Sequence, residues 1–276
     1  MPKNIKKSRE AERIVAAGGI RFLQFTALAD EGLVHGFSLR QGGVSLPPYE
    51  ELNLGLHVGD DPGFVRENRN RLAAALGYVP ENVVTCRQVH GTVIRRVGVK
   101  QRSLGHLNYA DALPGTDGLI TLEPHVVLMA HAADCTLLFF YDPEAHCIGL
   151  AHAGWRGAVA GMGSRMVEAM CQCGCRRENL RVVLSPSIGP CCYQVGSEVV
   201  EAVPGRFRQQ VLQQAGNSFY LDLPELQVLD LLEAGIKESN LFRSSYCTHC
   251  RTDLFYSYRA AGGLTGRMAG IISMKW

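Results

Sequence analysis

Residues His131–Gly157 read HAADCTLLFFYDPEAHCIGLAHAGWRG and contain the pattern that decides the fold. Two apolar runs, Thr136–Tyr141 and Cys147–Ala151, are typical of short buried strands, and Asp142-Pro143 between them is typical of a turn. The second run continues through small residues into a helical pattern. We therefore expect two buried strands joined by a turn, then a loop that leads directly into the N-terminus of a helix.

This stretch also places candidate ligands at the edges of both strands. Cys135 precedes the first run and His152 follows the second, so a thiol and an imidazole, which are both common zinc ligands, lie within one unit. Backbone N–H groups at the start of the following helix favour an anion, and Arg156 adds a forked donor. The alternative is that Arg156 only stacks on Trp155 or pairs with a carboxylate.

Length and composition indicate one large folded domain. The chain has 276 residues, of which 46% are hydrophobic, and it contains no linker, low-complexity tract or internal repeat that would divide it. We expect residues 1–30 to be a mobile N-terminal segment and a lead-in of undefined structure. Residues 31–276 are then predicted to form a single domain.

Charge and hydropathy restrict the partners and the compartment. The formal net charge is only +2 and there is no long basic stripe with interleaved aromatic residues, so nucleic acid is not an expected partner. The N-terminus lacks the apolar region of a secretory signal, and no run approaches the ~18 apolar residues of a membrane span. We expect a cytoplasmic protein, a monomer or homodimer, whose ten cysteines are free thiols or metal ligands.

Helix signals are clearest between residues 61 and 77. Asp61 is a predicted N-cap, Pro62 suits the first turn, and Gly77 is expected to end the helix after Leu76. Further helices are predicted at Gly157–Met170, where Met162, Met166 and Met170 form a core-facing stripe, and at Ser197–Val203, Phe207–Gln214 and Pro224–Ala234, the last with Asp222 near its cap. Strands are predicted at Leu33–Leu39, Asp117–Thr121 and Arg181–Leu184.

Several other patterns are less specific. The pair Gly42-Gly43 indicates a tight hairpin turn, with close approach of a ligand as the alternative. His57, alone among apolar residues, is interpreted as a core side chain. Cys171-Gln172-Cys173-Gly174-Cys175 matches no common zinc pattern, and the single C-x-x-C of Cys247–Cys250 lacks a second pair in register, so neither predicts a zinc ribbon.

Strands occur both in hairpin-like pairs and joined through helices, which predicts an α+β (mixed α/β) domain with mixed β-sheets covered by helices.

Eight motifs occur along the chain in this order: HGFSLRQGG, LNLGLHVGDDP, RQVHG, DGLIT, ADC, AHAGWRG, SIGPCCYQVG and SYRAAGGLTGR. Together they resemble the laccase-domain or multicopper polyphenol oxidase-like family, the YfiH/YlmD-like purine nucleoside phosphorylase family, over roughly residues 33–273. The resemblance implies mixed sheets sandwiched by helices, in a CNF/YfiH-like cysteine hydrolase fold, with residues 31–276 as a catalytic domain.

The resemblance also implies a zinc site and an activity. Proteins similar to this one hold zinc with two histidines and a cysteine, which correspond to His90 of RQVHG, Cys135 of ADC and His152 of AHAGWRG. The implied reaction is phosphorolysis of purine nucleosides (adenosine, inosine, guanosine and methylthioadenosine) to the base and ribose 1-phosphate, with adenosine deamination alongside. We expect Arg40, Arg156 and Arg259, from three different loops, to bind phosphate.

Three other functions compete with this interpretation. Cys135 could be the nucleophile of a thiol hydrolase or acyl transferase, activated by His90 or His152. The cluster could instead be a structural metal site in a binding module. A copper oxidase, which the family's older name suggests, needs a large histidine inventory with H-x-H pairs, but the nine histidines of this chain form no such pair. Zn²⁺ is thus the expected ion, and Cu²⁺ is the less favoured alternative.

Overall fold

The structure, a computed structural model, describes residues 11–275. Residues 1–10, with which the predicted mobile segment begins, lie outside this range. Its strands are β1 Glu12–Ala17, β2 Ile20–Phe25, β3 Leu33–Ser38, β4 Val83–Val84, β5 Ile94–Arg96, β6 Gly118–Thr121, β7 Val127–Ala132, β8 Thr136–Asp142, β9 Cys147–Ala153, β10 Arg181–Leu184, β11 Gln194–Val195, β12 Leu212–Ala215, β13 Ser218–Leu221, β14 Leu241–Arg243 and β15 Met268–Met274. Its α-helices are α1 Pro62–Leu76, α2 Trp155–Val159, α3 Met162–Gln172, α4 Ser197–Ala202, α5 Arg208–Val211 and α6 Leu223–Glu233.

Two six-stranded sheets form the centre of the molecule. The first has the order β1-β2-β3-β15-β7-β4 and the second β14-β10-β8-β9-β6-β5, while β11-β13-β12 form a small third sheet. Both large sheets are mixed, because β4 pairs with β7, β10 with β14, and β5 with β6 in parallel, whereas the other pairs are antiparallel. This confirms the predicted mixed sheets of an α+β domain.

The sheets pack face to face and helices cover their outer faces. Leu128 of β7 and Phe139 of β8 belong to one buried cluster between the two sheets. The neighbouring residue Met129 packs on the outer side with Leu72 of α1, and Phe140 packs with the methionines of α3. Since successive side chains of a strand point to opposite faces, a strand covered on both faces is apolar throughout, which explains the continuous apolar runs.

The hairpin at the centre of the second sheet confirms the prediction made for it. β8 and β9 pair antiparallel from Asp142–Cys147 at the closed end to Thr136–Ala153 at the open end. The cap signals of α1 are confirmed as well. The Asp61 carboxylate accepts hydrogen bonds from the backbone of Gly63 and Phe64, and Gly77 ends the helix with a φ of 77°.

Two helix predictions need correction. The predicted helix Gly157–Met170 is two helices, because the chain breaks at Gly161, whose φ of 74° is left-handed, between α2 and α3. The predicted helix Phe207–Gln214 ends after one turn. From Leu212 onward the chain pairs with β13, so strand pairing overrides local helix propensity there.

The N-terminal lead-in, for which the sequence predicts no definite structure, forms the hairpin β1–β2 at the edge of the first sheet. The Gly42-Gly43 pair lies close to it, and both glycines are in tight contact with the backbone of other segments. A Cβ at Gly42 would clash with the carbonyl oxygen of Gly19, and one at Gly43 with that of Glu51. Among residues 11–275, no helix is long and apolar enough to cross a membrane.

Candidate metal centre and the adjoining cavity

His90, Cys135 and His152 come together at the open end of the β8–β9 hairpin. Their ligand atoms all lie within 4.8 Å of one another. The Cys135 Sγ is 3.8 Å from the Nε2 of His90, and the two imidazole rings are 4.8 Å apart and nearly perpendicular. Tetrahedral zinc, with bonds of about 2.0 Å to nitrogen and 2.3 Å to sulfur, separates such atoms by about 3.5 Å. The spacing and the donor set therefore fit one zinc ion.

The chain positions each of these side chains through the hairpin or a loop beside it. His152 is the second-to-last residue of β9, opposite Leu137 of β8, and Cys135 directly precedes β8. Asp134, which precedes Cys135, has a φ of 85°, and His90 has a φ of 60° in the loop before β5. Left-handed backbone at two non-glycine residues beside a ligand cluster is a form of strain typical of functional sites.

Asp117, which directly precedes β6, holds two of the three candidate ligands in place. Its Oδ1 lies 2.9 Å from the Nδ1 of His152 and 3.0 Å from the backbone N of His90. Its Oδ2 accepts hydrogen bonds from the backbone of Val89 and Gly91. Burial opposes ionisation of Asp117, but His152 and these N–H groups outweigh burial and lower the pKa of the carboxyl. Because a carboxylate only accepts, Nδ1 of His152 carries the proton and Nε2 is free to bind a metal.

Gly154 leaves the space that the ligands occupy. A Cβ at this position would lie 2.8 Å from Cδ2 of His90 and 2.9 Å from Sγ of Cys135. The φ of Gly154 is −69°, which any residue can adopt, so the requirement for glycine here is steric. The small residue after β9 thus leaves room for the side chains of His90 and Cys135.

We expect Gly154→Ala to lower the zinc affinity by more than about tenfold with little loss of thermal stability, since misplacing a ligand typically costs 10- to 100-fold in affinity. Competition with a chelator measures the affinity. Gly205→Ala is the matched control, because a Cβ at Gly205 meets nothing within 4 Å. Equal zinc affinity in the two variants would show that the Gly154 contact is not needed.

Cys135 and His152 influence each other's protonation. Burial disfavours the thiolate, but the neighbouring His152 and His90 outweigh burial and lower the pKa of Cys135 to about 6. Burial likewise disfavours a charged His152, but Cys135 and Asp117 outweigh burial and raise its pKa to about 9. In the absence of metal the pair is therefore a thiolate and an imidazolium between these pH values, and zinc must displace the His152 proton to bind.

A pH titration of thiol alkylation tests this pair in zinc-stripped protein. Because the thiolate is the reactive form, alkylation of Cys135 by iodoacetamide should be fast at pH 7–8 and should slow as the pH falls through about 6. Cys171, whose pKa burial raises, is the internal control in peptide mass mapping. Zinc should protect Cys135. Alkylation of Cys135 that begins only near pH 9 would rule out the ion pair.

A cavity of about 700 Å³ opens beside the three ligands. This volume lies in the range of small-molecule sites, and the lining combines charged, polar and aromatic side chains. The lining residues are His57, Gln88, Val89, His90, His131, Ala132, Ala133, Asp134, Cys135, His152, Trp155, Arg156, Ile188, Tyr193, Leu223, Tyr258, Arg259 and Arg267.

Two of the three arginines predicted to bind phosphate line this cavity. Arg156 stacks on Trp155 at 4.1 Å and pairs with Glu198 at 3.0 Å, which are the two contacts of the alternative interpretation. Arg259 stacks on Tyr193 and donates one hydrogen bond to the carbonyl of Gln194. The start of α2 bears out the predicted strand–loop–helix order, but α2 has only five residues. The arginine side chains are therefore the stronger basis for anion binding.

The structure does not bring Arg40 to the cavity. Its guanidinium donates to the carbonyl oxygens of Thr252 and Glu50 and packs over the ring of Tyr256. The expectation that Arg40 contacts phosphate therefore has no support from its position. Arg267, for which no role was predicted from the sequence, lines the cavity instead. It is the last residue of the motif SYRAAGGLTGR, and that motif was the only signal for it.

Two histidines of the cavity were also missed. His57 is not a core side chain, as the sequence suggested, but lines the cavity, with its ring 5.2 Å from Tyr109 and 5.8 Å from His131. His131 lies 3.2 Å from the buried guanidinium of Arg69. Burial, with Arg69 beside it, lowers the pKa of His131, and burial lowers that of His57 to about 4, so both rings are neutral near pH 7.

Known proteins are similar to this chain in both sequence and fold. Purine nucleoside phosphorylase YlmD from Geobacillus stearothermophilus is 40% identical over 249 residues, which cover 88% of this chain and 91% of that protein. Purine nucleoside phosphorylase YfiH from Escherichia coli is 36% identical, with coverage of 85% and 91%. Adenosine deaminase RL5 from an unknown prokaryotic organism is 32% identical, with the same coverage.

The structural comparison agrees with the sequence comparison. The crystal structure of YlmD from Geobacillus stearothermophilus superimposes with a TM-score of 0.89 at 37% identity, covering 96% of this chain and 99% of that chain. Residues 34–275 match the family described as multi-copper polyphenol oxidoreductase laccase. Since this match extends over nearly the whole chain and the relatives align over most of theirs, the chain belongs to that family.

Proposed function

We propose that this protein is a zinc-dependent purine nucleoside phosphorylase that also deaminates adenosine. One observation carries the proposal: a single cavity is lined by the His90–Cys135–His152 cluster, by arginines and by aromatic rings. Phosphorolysis requires sites for a phosphate and a flat base in one pocket, and deamination requires an activated water. The names of the relatives, purine nucleoside phosphorylase and adenosine deaminase, support the same two activities.

Zinc would be held by His90, Cys135 and His152, with Asp117 orienting His152. Three protein ligands are typical of a catalytic site with an open position, whereas closed structural sites normally have four. Within residues 11–275, the cluster contains only these three ligand residues. When bound, the ion would supply Lewis acidity and lower the pKa of a water molecule toward ~7.

Arg156, Arg259 and Arg267 would bind the phosphate. All three line the cavity, and a guanidinium binds phosphate oxygens through a planar pair of N–H donors. Phosphate held in this way can attack the anomeric carbon as the glycosidic bond breaks, which gives the free base and ribose 1-phosphate. The rings of Trp155, Tyr193 and Tyr258 offer flat surfaces against which the purine can stack. Inosine, guanosine, adenosine and methylthioadenosine all share the purine ring and the ribose that such a site recognises. Methylthioadenosine, which keeps its 5-methylthio group, would give 5-methylthioribose 1-phosphate.

The products from adenosine test the arginine assignment. Because phosphate is a substrate of phosphorolysis only, Arg156→Ala should raise the phosphate KM by at least about tenfold, the loss expected for one charge-assisted contact. Deamination to inosine should change less, so the ratio of inosine to adenine should rise. Arg40→Ala is the matched control, since Arg40 lies outside the cavity, and it should leave the ratio unchanged. An unchanged ratio in Arg156→Ala would remove Arg156 from the phosphate site.

A second candidate function, a thiol hydrolase or acyl transferase with Cys135 as nucleophile, is favoured by the lowered pKa of that thiol. Zinc and an acyl group cannot occupy the same sulfur at one time, so metal removal distinguishes the two functions. A hydrolase of this kind should become active toward esters or thioesters when zinc is stripped. The proposed phosphorylase should instead lose its activity on zinc removal and recover it when zinc is added back.

A further inference from the structure

Four cysteine side chains form a second cluster, apart from the three ligands described above. Cys191 and Cys192 lie in the loop after β10, and Cys247 and Cys250 lie in the loop after β14. All four Sγ atoms are within 4.8 Å of one another. Cys250 is 3.5 Å from Cys191 and 3.4 Å from Cys192. The C-x-x-C of Cys247 and Cys250 therefore has a partner pair. That pair is Cys191-Cys192, two consecutive cysteines that lie far away in the sequence.

These spacings fit a shared metal ion. Four sulfurs in a tetrahedron with zinc–sulfur bonds of about 2.3 Å are about 3.8 Å apart, whereas disulfide sulfurs are about 2.05 Å apart. The backbone N–H of Gly189 also donates to the sulfur of Cys247 over 3.2 Å, a contact that stabilises negative charge on that sulfur. A Cβ at Gly189 would lie 3.3 Å from Cβ of Cys247, so a small residue lets the loops approach.

Backbone contacts already align the two loops. The N–H of Thr248 donates to the carbonyl oxygen of Ser187 over 3.1 Å, in an isolated parallel bridge between Ser187 and Cys247. The fold therefore holds both cysteine pairs at one place before any ion is bound. A site that is organised in this way loses little conformational entropy when it closes around a metal.

We propose that Cys191, Cys192, Cys247 and Cys250 bind a structural zinc ion, distinct from the ion of the cavity. On binding, each of the four thiols releases a proton and forms one zinc–sulfur bond. The product is a closed tetrathiolate with a net charge of −2, and no group is oxidised or reduced. With all four positions filled by protein, this ion has no open position for catalysis.

The position of this site indicates what it stabilises. The first loop carries Ile188 and Tyr193, and the second leads to Tyr258 and Arg259, all of which line the cavity. Asp134, which precedes Cys135, accepts hydrogen bonds from Thr248 Oγ1 at 2.6 Å and from the backbone of Arg259 at 2.8 Å. An ion that joins the two loops would thus fix one wall of the cavity without touching a substrate.

Metal analysis of purified full-length protein tests the proposal. We expect about two zinc ions per chain in the wild type and about one in Cys250→Ser, with Cys173→Ser as the control at two. Cys173 lies at the end of α3 and belongs to neither cluster. An unchanged zinc content in Cys250→Ser would overturn the proposal. A disulfide between two of these four cysteines, located by peptide mapping under non-reducing conditions, would overturn it as well.

A second variant keeps the test decisive if Cys250→Ser does not fold. Cys135→Ala removes one of the three candidate ligands of the cavity and leaves the four-cysteine cluster intact, so this protein should retain about one metal ion. Loaded with Co²⁺, it should show tetrahedral ligand-field bands and an intense near-ultraviolet band from sulfur-to-cobalt charge transfer, the signature of several thiolates. A Cys135→Ala protein that binds no cobalt, or binds it without this band, would contradict a four-cysteine site.

Discussion

Replacing Cys135 with alanine is expected to remove the zinc ion of the cavity and to reduce nucleoside turnover by more than about 100-fold. Loss of a group that only orients a ligand typically costs 10- to 100-fold, so loss of a ligand itself should cost more. His152→Ala should have the same effect on phosphorolysis and on deamination. The fold should survive both changes, because the ligands lie at the open end of the hairpin, and the cores are formed by other residues.

Zinc content and turnover should be measured on the same samples, together with the far-ultraviolet circular dichroism spectrum. Cys173→Ser is again the control for loss of a thiol, because this residue does not line the cavity. The zinc content should fall by about one ion per chain in Cys135→Ala relative to the control. A Cys135→Ala protein with full zinc content and full turnover would disprove the ligand assignment.

Replacing Asp117 with asparagine is expected to lower zinc affinity and turnover by about 10- to 100-fold. Each carboxylate oxygen accepts two hydrogen bonds: Oδ1 from His152 and His90, and Oδ2 from Val89 and Gly91. An asparagine amide nitrogen cannot accept hydrogen bonds, so either orientation of the side chain loses two of them and sets donors against each other. His90 or His152 is misplaced in both cases.

Asp142→Asn is the matched control for this change. Asp142 is also fully buried, and its carboxylate also accepts hydrogen bonds from backbone N–H groups, those of Glu144, Ala145 and Arg176, but at the closed end of the same hairpin. Both variants should lose thermal stability, and only Asp117→Asn should lose zinc affinity. Equal zinc affinities in the two would show that Asp117 supports the fold alone.

The sequence predicted the parts of the fold that depend on local patterns. The hairpin β8–β9 followed from two continuous apolar runs with a turn between them, and α1 followed from Asp61, Pro62 and Gly77. Such signals lie within a few residues of the element they define. Pairing with another strand overrides such signals. The helix predicted at Phe207–Gln214 was too long because the chain from Leu212 onward pairs with β13.

The candidate site likewise contains residues that the sequence predicted and residues that it did not. Cys135 and His152 stood at predicted strand edges, and the resemblance added His90, so the sequence named the cluster that the structure assembles. The residues that position these candidate ligands could not be predicted from the sequence. Asp117 reaches residues 26 to 35 positions away, and the need for Gly154 arises from two side chains that approach it only in the folded protein.

Long-range geometry also decides which residues the cavity includes. Arg40 and His57 have similar local surroundings, since both lie in loops beside apolar runs, yet only His57 lines the cavity. The four-cysteine cluster could not be predicted from the sequence, because the common zinc pattern consists of two C-x-x-C units. Here an adjacent pair, Cys191-Cys192, meets a C-x-x-C more than fifty residues later in the chain.

The fate of inosine tests the central claim most directly. Zinc-loaded protein should be incubated with inosine in the presence and absence of inorganic phosphate, and the sugar product identified by chromatography and mass spectrometry. The proposed phosphorylase predicts hypoxanthine and ribose 1-phosphate in equal amounts, and only when phosphate is present. Release of free ribose without phosphate would contradict the account.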